Sequence, residues 1–167
     1  MVLSHRAERE GKLLTFLRGE LGLSSGLVKR LKWQNAFYLD GVPVHTDARV
    51  RPGQEITVKI EEAPEGFLPQ TLPIDILYED ESLIALDKPA GQLVHPSPRK
   101  NDGTLANALL GYYAETNQPC GIHPVTRLDR DTFGVVLLAK NAHIHAKLCQ
   151  MMKDGQIRKT YLAAVYG

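Results

Sequence analysis

Apolar residues recur at helical spacing near the start of the chain, and this spacing predicts two short helices. Leu13, Leu14, Leu17 and Leu21 recur at helical spacing, which predicts a first helix over residues 12–21 with Gly22 as its C-cap. Ser24 or Ser25 can cap a second helix directly afterwards. The inward side of that helix carries three apolar residues, Leu27, Val28 and Leu31. The first 33 residues therefore favour a helical pair.

Short strands are predicted after the helical pair, over residues 37–60. The pair Asp40-Gly41 is typical of a hairpin turn. The run Arg51-Pro52-Gly53 indicates a second turn. These elements predict a small module that closes near Ile60.

A change of composition follows this module and indicates a domain boundary. Residues 61–73 contain three prolines, one glycine and three glutamates without periodicity, which is typical of a linker. Beyond it, residues 74–80 and 82–89 alternate as two strands that turn at residues 79–82. The turn Lys88-Pro89-Ala90-Gly91 ends the second strand.

The remaining residues predict alternating helices and strands. Thr104 opens a helix, and the apolar run at residues 135–139 predicts a buried strand. Asn141 caps another helix that ends near Gly155. A last strand is predicted over residues 157–166.

Composition restricts the class of protein. The chain has 167 residues, of which 43% are hydrophobic and 23% charged, which excludes collagen-like and wholly disordered classes. The longest strictly apolar run, at 135–139, is far shorter than the roughly 18 residues that a membrane span requires, and the first residues lack the apolar stretch of a signal peptide. Cys120 and Cys149 lie outside any CxxC spacing, which favours a reducing compartment. We therefore expect a cytoplasmic protein without membrane contact.

Charge is unevenly distributed along the chain. Residues 1–60 carry a net charge of +4, residues 61–98 carry −7, and residues 99–167 carry +4. Two basic ends could bind one polyanion at two places, or the charges could be solvated on separate surfaces. On the second helix, Lys29 lies three residues before Lys32 and four before Trp33, so these side chains share a basic and aromatic face.

The densest polar cluster lies at residues 123–132, just before the predicted buried strand. Asp129 is flanked by Arg127 and Arg130, which favour its charged form and suit a nucleophile or a general base. The alternative is an ion-paired surface loop. A metal site is not expected, because three candidate ligands in one short stretch have no second ligand cluster: His143, His145 and Cys149.

Four ordered segments resemble one family. Residues 127–134, RLDRDTFG, run into VVLLAKN and resemble the catalytic signature of the RluA-type pseudouridine synthases, RLDxxTSG followed by an apolar strand. Residues 76–96 resemble that family's first motif, and residues 159–163, KTYLA, resemble a later one. Residues 12–60 are similar to the S4-type RNA-binding module that many of these synthases carry. The resemblance covers residues 12–167.

This resemblance implies a fold and a reaction. It implies an α+β protein with an S4-like RNA-binding module at residues 12–60, a linker at 61–73, and the N-terminal part of a mixed-sheet catalytic domain at 74–167. The implied reaction is isomerisation of uridine to pseudouridine in structured RNA, with ribosomal RNA of the large subunit as the expected substrate class. The bond from the base N1 to the sugar breaks, and C5 is joined to the sugar instead. No cofactor and no metal are needed.

The resemblance also implies roles for particular residues. Asp129 would act as nucleophile or as base, and the sequence leaves both open. Arg127 would fill the place vacated by the flipped uridine, and Tyr161 would stack on the uracil. Four residues of the S4-like module are expected to contact RNA: Lys29, Arg30, Lys32 and Trp33.

The chain departs from the family pattern in three places. Phe133 stands where the family has Ser, and Thr126 stands where many members have His. The family pattern also continues beyond Gly167 to a further strand with a basic residue that pairs with the catalytic Asp. The alternative hypothesis is a noncatalytic RNA-binding protein, or an inactive fragment, that retains the front half of the synthase fold.

Overall fold

The computed structural model describes residues 1–62 and 65–166, and it consists of ten strands and four helices in these residues. The strands of the first part are β1 (Val2–Arg6), β2 (Gly11–Lys12), β3 (Phe37–Leu39), β4 (Val42–Pro43), β5 (Arg49–Val50) and β6 (Glu55–Lys59). Its helices are α1 (Leu13–Arg18) and α2 (Ser25–Trp33). The second part contains β7 (Asp75–Glu79), β8 (Leu83–Lys88), α3 (Leu105–Glu115), β9 (His123–Pro124), β10 (Gly134–Ala139) and α4 (Ala142–Lys153). The architecture is therefore α+β, as the sequence predicts.

The first part packs its two helices against a four-stranded antiparallel sheet. The strand order is β1-β6-β3-β4, and β2 pairs with β5 beside it. Asp40 and Gly41 both have positive φ values, 48° and 80°, which is the backbone of the predicted two-residue hairpin turn. Strand β1 was not predicted, because its five residues, VLSHR, carry only a weak apolar alternation. Its pairing with β6 places residues 2–6 in the same sheet as β3.

Helix α1 is shorter than the sequence predicts. Its buried side also differs from the prediction, because it includes Phe16 and not Leu14. It ends at Arg18, where the Gly19 amide bonds back to the Thr15 oxygen. Phe16 is buried, whereas Leu14 is 40% exposed. Helix α2 begins as predicted, because the Ser24 side chain accepts a hydrogen bond from the Leu27 amide.

The second part is a four-stranded antiparallel sheet between two helices. The strand order is β7-β8-β10-β9, which confirms the predicted strand pair at residues 74–89 and the predicted buried strand. Side chains alternate between the two faces of the sheet. One face packs against α3 through four residues, Ile84, Leu86, Val136 and Leu138. On the other face, Leu137 and Ala139 pack with Leu148 of α4.

The helix caps of the second part follow the sequence prediction. Thr104 and Asn107 form a reciprocal capping box at the start of α3. The Asn141 side chain accepts from the Ile144 amide at the start of α4. No helix in the described residues is long and apolar enough to cross a membrane.

The predicted last strand over residues 157–166 is wrong. Residues 156–166 form neither a helix nor a strand, and Tyr161, Leu162 and Tyr166 are largely exposed. A strand needs a neighbouring strand for its backbone hydrogen bonds, and this segment pairs with neither edge of the second sheet.

Candidate active site

Asp129 lies on the loop that joins β9 to β10, which we call the Asp129 loop (residues 125–133). The backbone amides of Val125 and Thr126 donate to the Leu137 oxygen, and the Leu137 amide donates to Thr126 Oγ1 at 2.9 Å. These bonds fix the start of the loop to β10. Asp129 itself is exposed, so its carboxylate is open to a large ligand.

The far side of the Asp129 loop is held by a buried lysine. Lys88 is fully buried, and its Nζ donates to the backbone oxygens of Pro89 and Gln92 at 2.8 Å and of Arg130 at 3.0 Å. The Gly91 amide donates to the same Arg130 oxygen at 2.9 Å. The turn that ends β8 is thereby joined to the residue that follows Asp129.

The burial of Lys88 has an electrostatic consequence. Removal from water lowers the pKa of Lys88, while the negative charge of Asp131 acts in the opposite direction. From the sequence, Lys88 was predicted only as a residue of the turn that ends β8. A signal was present, because Lys88 continues the inward alternation of Ile84 and Leu86 along β8.

The arginines beside Asp129 do not form salt bridges with it in the described part of the chain. Arg130 instead approaches Asp131 at 3.9 Å, and both side chains are mostly exposed. Arg130 Nε also donates to the Gly91 oxygen at 3.2 Å. Arg127 is an exposed residue as well.

A cavity of about 500 Å³ lies beside the Asp129 loop. Its lining residues come from the end of β8, the start of β7, the first residue of α3 and the end of the loop. They are Pro73, Ile74, Asp75, Asp87, Lys88, Pro89, Ala90, Leu105 and Phe133. The Phe133 side chain is 76% exposed, so its ring is available for contact.

Tyr161 is not joined to the Asp129 loop by any hydrogen bond in the described residues. Its side chain is 61% exposed, and it makes no hydrogen bond or ring contact with other described residues. The segment that carries it follows the end of α4 without joining the sheet. Its role as a base platform stays a prediction.

The four predicted RNA contacts of α2 divide into two groups. Lys29, Lys32 and Trp33 are exposed, and Trp33 is 83% exposed. Arg30 points elsewhere, because its guanidinium lies 3.7 Å from the Glu62 carboxylate and two of its nitrogens are buried. Three of the four side chains therefore form an open basic and aromatic face.

Glu62 connects the first part of the chain to the elements around the Asp129 loop. One carboxylate oxygen lies 2.9 Å from His123 Nε2 on β9, and the other accepts from the Ala142 amide at 3.1 Å. Burial alone would raise the pKa of Glu62, but the hydrogen bonds from His123 and Ala142 outweigh it and hold that pKa below its ordinary value. The sequence analysis did not identify this residue.

The residues considered for a metal site have other contacts. His145 Nε2 lies 3.2 Å from the Pro124 oxygen and 3.4 Å from Cys149 Sγ. His143 is buried, and this burial lowers its pKa. Within residues 1–62 and 65–166, no group of three or more His, Cys, Asp or Glu side chains is arranged to hold a metal ion.

Comparison with known proteins gives a consistent family match. The model of the family described as RNA pseudouridylate synthase matches residues 82–167, just over half of the chain. The uncharacterized RNA pseudouridine synthase YjbO of Bacillus subtilis is 34% identical over 89% of this chain and 54% of its own length. An uncharacterized RNA pseudouridine synthase of Aquifex aeolicus is 34% identical over 99% of this chain and 55% of its own.

A relative whose name states a substrate also matches. Ribosomal large subunit pseudouridine synthase D of Pseudomonas aeruginosa is 37% identical over 77% of this chain and 41% of its own length. The chain thus spans about half the length of the curated relatives it matches.

Proposed function

The chain belongs to the RNA pseudouridylate synthase family, and on this premise we propose that it isomerises uridine to pseudouridine in structured RNA. Ribosomal RNA is the substrate that we infer, because synthase D of Pseudomonas aeruginosa bears the name of the large ribosomal subunit. An RNA of this kind is also consistent with a cytoplasmic location.

One observation carries this proposal. Asp129 is exposed on a loop whose backbone is fixed on both sides, by β10 at its start and by the buried Lys88 one residue after the carboxylate. A reactive side chain that is open to a large substrate and held on a rigid support is the arrangement that catalysis on RNA requires. An ordinary ion-paired surface loop would not need a buried ammonium group beneath it.

The proposed chemistry centres on the Asp129 carboxylate. The bond between uracil N1 and the ribose breaks, the base rotates, and a bond forms from C5 to the same ribose carbon. The hydrogen at C5 is then lost as a proton and N1 takes up a proton, so that the product is an isomer of the substrate. Asp129 acts either as the nucleophile that bonds to the RNA or as the base that takes a proton.

The neighbouring residues supply binding in this proposal. A base inside an RNA stem is unreachable, so it must be flipped out at a cost of a few kcal/mol. Arg127 fills the vacated place, and Tyr161 stacks on the flipped uracil. Stacking of one base on an aromatic ring contributes about 1–3 kcal/mol, which offsets much of the flipping cost.

We assign the first part of the chain to RNA binding. Residues 12–60 would form an S4-like module, residues 61–73 a linker, and residues 74–167 the N-terminal part of the catalytic domain. The exposed face formed by Lys29, Lys32 and Trp33 supports this assignment, because basic side chains bind phosphates and an aromatic ring stacks on a base. We expect Arg30 to contribute less, since its guanidinium faces Glu62.

A second candidate function is noncatalytic RNA binding. The exposed Tyr161 and the unpaired segment around it favour this alternative, because Tyr161 forms no hydrogen bond or ring contact with the described residues around Asp129. Only the first function yields pseudouridine, so an assay of that product separates the two.

The experiment measures tritium release from ribosomal RNA that is labelled at uridine C5. We expect release from the parent protein and none from Asp129→Ala, although this variant still binds the RNA. Asp131→Ala is the matched control, because Asp131 is an exposed carboxylate on the same loop whose interactions are a long salt bridge to Arg130 and an electrostatic effect on Lys88. It should retain most of the release.

Two results would contradict the proposal. Binding by the parent without any release would favour the noncatalytic function. Equal release from the parent and from Asp129→Ala would show that another group performs the chemistry.

A further inference from the structure

A tight hairpin in the segment between β8 and α3 has no part in the proposed reaction. Ser97 and Lys100 exchange both of their backbone hydrogen bonds, at 2.8 Å and 3.0 Å, and these bonds close a turn at Pro98 and Arg99. We call residues 97–100 the basic hairpin. Proline fixes its own φ, which favours a turn at this place. The backbone that carries Arg99 and Lys100 is therefore held in one conformation before any ligand binds.

The segment that carries the basic hairpin is fixed on both sides of it. Before the hairpin, the Leu93 oxygen accepts a hydrogen bond from the first amide of α3 at 2.9 Å. After the hairpin, the Gly103 amide donates to Gln70 Oε1 at 2.6 Å. The same segment starts at the turn after β8, where the Gly91 amide donates to the Arg130 oxygen of the Asp129 loop. The basic hairpin is thus tied to the candidate active site through bonded backbone.

The two cations of the basic hairpin have no strong contact within the described residues. Arg99 is exposed and forms no salt bridge there. Lys100 approaches Asp102 at 4.0 Å, and 55% of the lysine side chain is exposed. An exposed ion pair at that separation contributes little to stability. Both cations are therefore available to an external anion.

The chain before the basic hairpin is acidic. Residues 61–98 carry a net charge of −7. Their one lysine or arginine, Lys88, is buried, and its Nζ is bonded to three backbone oxygens. Carboxylates repel a polyanion, so an RNA bound to this part of the chain needs a compensating positive charge. The first exposed cation after residue 60 is Arg99.

Phosphate is the anion that the basic hairpin suits. The guanidinium of an arginine donates two parallel hydrogen bonds to one phosphate, and a lysine adds a compact charge. The hairpin sequence, Ser-Pro-Arg-Lys, offers no aromatic ring on which a base could stack. Contacts to phosphate hold the RNA backbone in place and do not read its sequence.

We propose that the basic hairpin binds backbone phosphates of the RNA whose uridine reaches Asp129. Arg99 and Lys100 each contact a phosphate, so the second part of the chain holds RNA through an element separate from the basic face of α2. This inference rests on the proposed function in taking RNA as the ligand. It assigns the basic hairpin to substrate binding and not to the chemistry.

The first test measures how RNA binding depends on salt. Fluorescence anisotropy gives the dissociation constant of a fluorescein-labelled RNA stem-loop over a series of KCl concentrations. Each phosphate contact that is lost reduces the steepness of log affinity against log salt by about 0.7–0.9. The double variant Arg99→Ala/Lys100→Ala should therefore reduce this slope by about 1.4–1.8 and weaken binding at low salt by about 3- to 30-fold.

Two further variants separate a specific contact from a general loss of charge. Lys147→Ala/Lys153→Ala removes the same charge from two exposed positions of α4, and it should keep the slope of the parent. Arg99→Lys keeps the charge of the hairpin and should keep most of the slope. All of these side chains are exposed, so the variants should fold, and circular dichroism checks this.

Steady-state tritium release from C5-labelled ribosomal RNA tests the assignment to binding. A contact that is equally strong before and during the reaction raises KM when it is lost and leaves kcat unchanged. Arg99→Ala/Lys100→Ala should therefore raise KM by about the same factor as the dissociation constant, with kcat within about twofold of the parent. A fall in kcat at an unchanged KM would overturn the assignment.

The outcomes distinguish this inference from the proposed function. The parent slope in Arg99→Ala/Lys100→Ala, or an equal loss in the α4 control, would overturn the inference even if tritium is released. Asp129→Ala should bind with the slope of the parent, because no reaction is needed. A reduced slope in the hairpin variant together with no release from the parent would contradict the proposed function and leave the phosphate contacts intact.

Discussion

Two segments that carry the family motifs are built in opposite ways. The Asp129 loop has no regular secondary structure, yet backbone hydrogen bonds to Leu137 and a buried lysine fix both of its sides. Residues 157–166 were predicted as a strand, yet they pair with no strand of either sheet, and Tyr161 is exposed. The Asp129 loop is therefore more firmly held than residues 157–166.

The difference lies in where each segment finds its hydrogen-bond partners. A loop can be fixed by a few donors, and Lys88 supplies three hydrogen bonds from one side chain. A strand needs a continuous row of backbone partners from a neighbour. Motif residues are thus positioned by their partners and not by their own secondary-structure preference.

Among the residues that distinguish the two segments, the largest expected effect comes from removing the support of the Asp129 loop. In Lys88→Met the backbone oxygens of Pro89 and Gln92 lose their ammonium donor inside the protein, whereas the Arg130 oxygen keeps its bond from Gly91. Each buried acceptor without a donor costs about 1–3 kcal/mol. We expect the free energy of unfolding in urea to fall by about 2–4 kcal/mol, and tritium release to fall with it.

The control for this prediction is a lysine in the segment between β8 and α3. Lys100 is 55% exposed, so Lys100→Met should change the free energy of unfolding by less than about 0.5 kcal/mol. If Lys88→Met were as stable as the parent, the hydrogen bonds of Lys88 would not be what holds the Asp129 loop more firmly than residues 157–166.

A smaller effect is expected at Glu62, which holds β9 directly before the Asp129 loop. The folded state lowers the pKa of Glu62 below its ordinary value of 4.5, so the ionised carboxylate stabilises the fold. This contribution is fully present above pH 4.5 and is lost as the pH falls through the lowered pKa of the folded state. Glu62→Gln should therefore cost about 1 kcal/mol at neutral pH.

The pH dependence is the sharper readout for Glu62. The difference in unfolding free energy between the parent and Glu62→Gln should shrink as the pH falls below 4.5. Glu115→Gln serves as a control, because Glu115 bonds only to Thr71 at the surface. A difference that grows as the pH falls would show the wrong sign and refute the role of the ionised carboxylate.

The parts of the fold that were predictable depend on residues that are close to one another in the sequence. Ser24, Thr104 and Asn141 cap helices by bonding to amides three residues ahead, and Asp40-Gly41 forms its turn by backbone conformation alone. The resemblance likewise located the Asp129 loop, because its motif is continuous in sequence. These features need no knowledge of the tertiary structure.

The parts that were missed depend on contacts between distant residues. Strand β1 exists because β6 lies beside it, although some 50 residues separate them. Lys88 meets Arg130 across 42 residues, and Glu62 meets His123 across 61. Arg30 was expected to contact RNA for the same reason, since nothing near it in sequence indicates its contact with Glu62.

The smallest expected effect is at Tyr161 in the unpaired segment. Its side chain is 61% exposed and has no hydrogen bond to the described residues, so Tyr161→Ala should change the free energy of unfolding by less than about 0.5 kcal/mol. Tyr113 is the contrasting residue, because it lies on α3 and is only 2% exposed in the core between that helix and the second sheet. Tyr113→Ala should cost about 3–5 kcal/mol, as a large aromatic truncation in a core does.

Hydrogen exchange tests the same contrast without a substitution. The amides of Val125 and Thr126 bond to the Leu137 oxygen, so they should exchange more slowly than the amides of residues 158–166, which have no backbone partners among the described residues. Addition of ribosomal RNA should slow exchange in residues 158–166 if Tyr161 docks on the flipped base, because docking orders the segment. Unchanged exchange with bound RNA would remove Tyr161 from the proposed site and leave Asp129 and Arg127 to act without it.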